Sequence, residues 1–347
     1  MPEKVGFLLS FFLLIQSSVL LAGVETSSTT KSSELGPENV ALVINDADAN
    51  SVKVAEYYRI ARGIPSKNIV HVKIPDVHPK LSVGEFTRLK WEIDTQLNPS
   101  EQVILLAWTA PYAVECNSIT AALTFGYDAA QCKNTCGAGK PSPYFNSASK
   151  MPFDDYGIRL TMLLPTDSFS RAKSIIDHGV QSDAGVFRST AYYLTTSDAN
   201  RNTRARFFPP SGLNIPRSGL AVMNIKSDKL VGARDIMIYQ TGMAWVDALD
   251  TLNFLPGALA DHLTSTGGDL YGKNQMSVLR WLDAGATASF GTVSEPCNYW
   301  QKFPNPLVLL KWYVNGATAV EAYWKSVAWP AQGLFVGEPL AAPYAHE

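Results

Sequence analysis

The chain predicts an α/β fold, a mostly parallel sheet flanked by helices on both faces in a three-layer arrangement. Between residues 40 and 108 short apolar runs alternate three times with stretches at helical spacing, the pattern of βαβ units. The same alternation resumes at residues 158–194 and again from 236 onward. With 46% apolar residues and 8 Trp, the 347-residue chain can fill the core of one large unit.

Taken in order, the chain opens on Lys4, the apolar run from Val5 to Ile15, and the small pair Ala22–Gly23. That order predicts a secretory signal over residues 1–23 and an exported protein, periplasmic or extracellular. Gln16, Ser17 and Ser18 interrupt the run, which falls short of the roughly 20 apolar residues of a membrane span. The Ser/Thr-rich stretch that follows predicts a disordered linker over 24–38. Residues 39–347 then form a single domain. No later run is long enough to span a bilayer, so no membrane insertion is expected once the signal is removed. The net charge is −2 and the basic residues are scattered, which removes the electrostatic case for a nucleic-acid partner.

Val40–Asn45 predicts the first strand, and Asn50 or Ser51 caps a helix that ends at Arg62–Gly63, before Pro65. Strands follow at 69–74 and 103–108 around a helix at 83–97. The stretch from 113 to 153 is rich in Gly, Pro, Ser and Asn and reads as a long insertion, a frequent home of function. Strands are expected at 158–164 and 191–194, with a helix on Phe169, Ala172 and Ile176 between them. Residues 201–227 read as irregular. Beyond them come strands at 236–240 and 258–262, a helix on Met276, Leu279 and Leu282 closed by Gly285, and a strand at 288–293. Two more helices follow, the second with a capping box from Thr318 to Glu321. Leu334–Val336 reads as a last edge strand.

Export favours disulfides among the four cysteines. Cys132 and Cys136 are close enough for a local bridge, while Cys116 and Cys297 either pair with each other or stay free. Three connectivities are open.

In an open parallel sheet, ligands bind beyond the carboxyl ends of the strands. That rule collects Asn45, Asp46 and Asp48 after the first strand, and Thr109, Tyr112, Glu115 and Cys116 after the third. Later strands add Thr264, Ser265, Thr266, Gly267 and Gly268, then Ser294, Glu295 and Cys297. Asp46 and Asp48 suggest a metal loop, but acids before a helix serve equally as caps. The turn from Thr264 to Gly268 is either an oxyanion cradle or an ordinary strand-to-helix turn. Cys297 with His262 offers a nucleophile and base, against a disulfide at Cys297 and a core-facing His262. Glu295 is a candidate acid/base. Tyr299, in the loop Cys297–Asn298–Tyr299–Trp300, is a candidate ligand anchor, against burial as the commoner fate of such rings. No metal and no cofactor is expected, because the remaining histidines lack zinc-ligand spacing.

The segments VINDADANSVKVAEYYRIARGIP, GALADHLTSTGG, WLDAGATASFGTVSEPCNYWQKFPNP and VAWPAQGLFVGEPL resemble a family of exported bacterial proteins of unknown function, over nearly all of the mature chain. A more distant similarity, through IRLTMLLPTDSFSRAKSIIDHGV and IMIYQTG, is to gingipain-type cysteine peptidases. That likeness implies a caspase-like fold. The peptidases carry a histidine after one strand and a cysteine after the next. Here the matching segments are Tyr239–Gly242 and Leu263–Gly267, and neither holds the required residue, so peptidase activity is not implied.

Two functions follow. The first is a hydrolase that uses Ser265 or Cys297 as nucleophile, with Glu295, Asp46 or His262 in acid/base roles. The second is a non-catalytic binding protein for a small molecule, peptide or glycan.

Overall fold

The computed structural model describes residues 35–345, apart from 76, 77, 184 and 186. The expected signal peptide, and residues 24–34 of the expected linker, lie outside the described residues. Leu35 joins the core and Pro37–Asn39 form a 3-10 turn, so the folded unit takes in the end of that linker.

The first half of the chain builds β1 (Val40–Asn45), α1 (Ala49–Arg62), β2 (Ile69–Val72), β3 (Lys80–Leu81), α2 (Val83–Asp94) and β4 (Val103–Ala107). It continues through β5 (Ala113–Val114), β6 (Asn117–Ser118), α3 (Ile119–Phe125), α4 (Ala129–Lys133) and α5 (Pro152–Tyr156) to β7 (Leu160–Leu163) and α6 (Phe169–Ser182). The second half holds β8 (Ser189–Thr195), β9 (Asn214–Ile215), β10 (Leu220–Lys226), β11 (Ile236–Thr241), β12 (Phe254–His262) and α7 (Leu279–Asp283). It ends with β13 (Ala288–Thr292), α8 (Pro306–Val314), α9 (Ala319–Ser326) and β14 (Gly333–Gly337).

Eleven strands make one mostly parallel sheet in the order β2-β1-β4-β7-β14-β13-β12-β11-β8-β10-β9, and β3, β5 and β6 make a small second sheet. Helices flank the main sheet: α1, α6 and α7 pack side by side, while α3 and α9 lie on β7 and α8 packs on α9. Hydrogen bonds set the helix starts. Asp48, two or three residues earlier than expected, accepts from Asn50 N at the head of α1, and Thr318 with Glu321 forms the expected capping box of α9.

Three segments depart from expectation. Residues 220–226, read as irregular, form β10, parallel to β8 over seven register pairs. The strand lies one place from the sheet edge and is only partly buried, so its apolar pattern is broken by Asn224 and Lys226. The 113–153 segment is only in part an insertion, since it contains α3, which packs on β7 and β14 as part of the core.

The third departure is β14, which is central. All five of its residues are buried, and it runs antiparallel to β13 over five pairs. A single bridge of parallel type, Val336 beside Leu163, joins it to β7. One bridge does not set a strand's direction; the contacts at its ends do. At one end Gly333 O accepts from Ser118 Oγ at 2.6 Å. At the other, Glu338 is held by Arg62 Nη2 at 2.7 Å and Tyr58 OH at 2.8 Å, where α1 finishes. Trp324 of α9 stacks on Phe335 with centroids 4.0 Å apart, which covers one face of this central strand.

Candidate functional site

Side-chain contacts show that the strand ends expected to gather do share one edge. Tyr112, beyond β4, donates to Asp269 Oδ1 beyond β12 at 2.6 Å. Thr109, also beyond β4, donates to Asp167 beyond β7 at 3.1 Å. Ser294, beyond β13, donates to Cys116 O at 2.7 Å.

The edge is wide, however, and the candidate residues divide into two groups. Asn45 ends β1 and Asp46 and Asp48 follow it, and β1 lies five strand spacings from β12. At the usual interstrand separation that is about 24 Å, far beyond hydrogen-bonding reach. This corrects the expectation of Asp46 as acid/base partner to Ser265. Asn45 is buried and accepts from Ile74 N at 2.9 Å and Ala47 N at 3.1 Å, so it pins the end of β1 to the chain beyond β2. Asp48 is the helix cap. Asp46 meets His71 Nδ1 at 2.9 Å on the open surface. Among the described residues no cluster of three or more His, Cys, Asp or Glu could hold a metal ion.

The second group surrounds a cavity of about 240 Å³ beyond β11 and β12. Its floor is Leu263, Thr264 and Ser265, one wall is Pro296, Cys297 and Asn298, and the other is Asn200 and Arg201. Gly242 explains how the Arg201 wall closes over the sheet. A Cβ at residue 242 would lie 2.1 Å from Arg201 O, so only glycine lets the chain beyond β8 cross the end of β11. Arg204 anchors the same segment from beneath. Its buried guanidinium pairs with Asp261 Oδ1 and donates to Thr241 O at 2.8 Å, and Gln240 Nε2 donates to Asp261 Oδ2 at 2.9 Å. Arg201 then donates through Nε to Thr264 Oγ1 at 3.2 Å and through Nη1 to Asp198 Oδ2 at 2.5 Å.

Neither half of the expected nucleophile–base pair is available. Cys297 is bonded to Cys136 and carries no thiol. The other bridge is Cys116–Cys132, so the expected local Cys132–Cys136 pair is replaced by one that ties the 128–142 loop to the cavity wall. Two disulfides agree with an oxidising compartment. His262 is 1% exposed. Its Nδ1 accepts from Trp281 Nε1 at 2.9 Å, which leaves Nε2–H to donate to Met276 O at 3.1 Å. Burial, reinforced by the charge of Arg204, pushes its pKa down to about 3. It stays neutral with both nitrogens occupied, and cannot serve as a base.

In the Thr264–Gly268 turn two of the backbone amides are already engaged. Thr266 N donates to Gln275 Oε1 at 2.8 Å, and Gly268 N donates to Thr292 O at 2.9 Å. A Cβ at residue 268 would lie 2.5 Å from Gly291 O, so that glycine permits close passage over β13. Glu295 Oε1 accepts from Cys297 N at 2.8 Å and shapes its own loop. Tyr299 is 38% exposed, with its ring 5.5 Å from Trp329 and Lys302 Nζ above it at 5.4 Å. Lys302 is itself buried, donates to Thr135 O at 2.6 Å, and has its pKa pushed down to about 8 by that burial.

Sequence reasoning missed Asn200, Arg201 and Arg204. They follow β8, whose neighbours β10 and β11 come later in the chain, so strand order reverses there. Such a reversal is where a crevice opens, and the strand-end rule applied to Thr195 would have found them. Comparison with protein-family models, curated proteins and solved structures found no match to this chain.

Proposed function

We propose that this is an exported, non-catalytic binding protein whose ligand occupies the polar cavity between Arg201, Ser265 and Asn298. One observation carries the reading: the groups that covalent catalysis needs are consumed internally, while hydrogen-bonding groups around the cavity are left open. The only candidate thiol is in a disulfide and the nearby imidazole is buried and neutral. Among the described residues the Ser265 hydroxyl has no hydrogen-bond partner, hence no base to take its proton. The side-chain amides of Asn200 and Asn298 are likewise uncommitted. The resemblance to gingipain-type peptidases read from the sequence fits the same reading, because Leu263, Thr264 and Ser265 of the cavity belong to one of the two segments that lack their dyad. Export is supported by the basic-then-apolar N-terminus and by two disulfides.

The test is to incubate the intact protein with panels of small molecules, peptides and glycans, following both saturable binding and chemical change. Binding without turnover, weakened by Arg201→Met, is the expected result. Turnover that survives extensive purification and is abolished by Ser265→Ala would overturn the reading.

A further inference from the structure

Resting on the binding reading above, we infer that the ligand is a neutral oligosaccharide, with one pyranose ring in the cavity and the next ring over the adjoining aromatic loop. The cavity, about 240 Å³, has room for one six-membered ring. Of the residues lining it only Arg201 is charged, and Asp198 already balances that charge. Among the described residues no carboxylate lines the cavity, so an ammonium group would find no partner there, which disfavours amino acids and peptide N-termini. A second fixed anion would compete with Asp198 for the same guanidinium, which disfavours acidic ligands.

What the cavity does offer is planar groups with paired polar atoms, the amides of Asn200 and Asn298, together with the uncommitted Nη2 of Arg201. Each amide donates and accepts side by side, the pattern that adjacent sugar hydroxyls return, since every hydroxyl also does both. Ser265 adds a hydroxyl of its own. Leu263, Pro296 and Phe303 also reach the cavity but are themselves buried, so the surface it presents is mainly polar.

The chain then leads directly from Asn298 into aromatic surface. Trp300 lies 4.7 Å from Phe207 and 6.5 Å from Phe145 between centroids, with Arg206 also near its ring. Tyr299 adds a partly exposed ring beside it. Rigid aromatic faces of this kind give contact area at little entropic cost, which suits a flat, weakly polar sugar face.

The experiment is isothermal titration of the intact protein with short neutral oligosaccharides, the matching monosaccharides, hexuronates and free amino acids. Wild type is compared with Asn298→Ala and Trp300→Ala, Asn298 being exposed and safe to truncate. We expect saturable binding of at least one neutral oligosaccharide, weakened tenfold or more by either change. The monosaccharide should bind more weakly, losing affinity with Asn298→Ala and little with Trp300→Ala. Binding confined to hexuronates or amino acids would overturn the neutral-oligosaccharide assignment and leave the cavity as a binding site. Cleavage of a bound glycan would do the reverse, keeping the ligand class and overturning the non-catalytic reading. Silence across all four panels would count against both.

Discussion

Lowering the pH from 7 to 5 should destabilise this protein through one residue, His262. In the folded chain its ring sits between Trp281 and Met276 with a pKa pushed down to about 3, whereas an unfolded histidine titrates near 6.5. Between those values the unfolded chain binds one proton that the folded chain refuses. Stability is therefore complete above about pH 6.5 and is lost as the pH falls towards 3. Integrating the difference gives a loss of about 2 kcal/mol at pH 5 and about 3 kcal/mol at pH 4, relative to pH 7. For a domain of roughly 310 residues, 2 kcal/mol corresponds to about 3 °C in midpoint. The assay is denaturant unfolding at a series of pH values, for wild type and for His262→Gln, which cannot titrate. Other groups contribute to both curves, so the difference between them isolates His262, and the variant should show the flatter acid limb. Parallel curves, or a ring that titrates near pH 6.5 by NMR, would refute the burial argument.

Asp261→Asn leaves the Arg204 guanidinium, 1% exposed, without its counter-charge and should cost about 3–5 kcal/mol by calorimetry. The double change Arg204→Met with Asp261→Leu should cost far less than the single one. Gly242→Ala forces a Cβ against Arg201 O and should cost about 1–3 kcal/mol, with weaker ligand binding because the Arg201 wall is displaced. Non-reducing peptide mapping should recover Cys116 with Cys132 and Cys136 with Cys297. Replacing Cys136 and Cys297 together by serine should lower stability by about 2–5 kcal/mol in denaturant unfolding.

The fold was legible where local signals agreed. β1, α6 and the capping box of α9 each combine a clear apolar pattern with a definite start or stop, and each lies where the sequence places it. β10 was hidden because its place near the sheet edge removes the need for a continuous apolar run. β14 was misplaced because three residues between glycines look like an edge, although Leu334, Phe335 and Val336, apolar side by side, are what a strand covered on both faces requires. At the site, proximity along the edge was legible from the strand-end rule, but width was not. The central insertion of β14 and the later strands moves β1 away from β12, and no local pattern records such distances. Cys297 illustrates the same gap, since its partner 161 residues away is set by tertiary structure alone.

Hydrogen–deuterium exchange with and without a saturating ligand tests most directly where the protein binds. Slowed exchange at residues 198–204, 263–266 and 296–300, with 45–50 and 109–112 unchanged, is the expected footprint. Protection centred instead on the turn after β1 would place the ligand at the other end of the sheet edge and contradict the account.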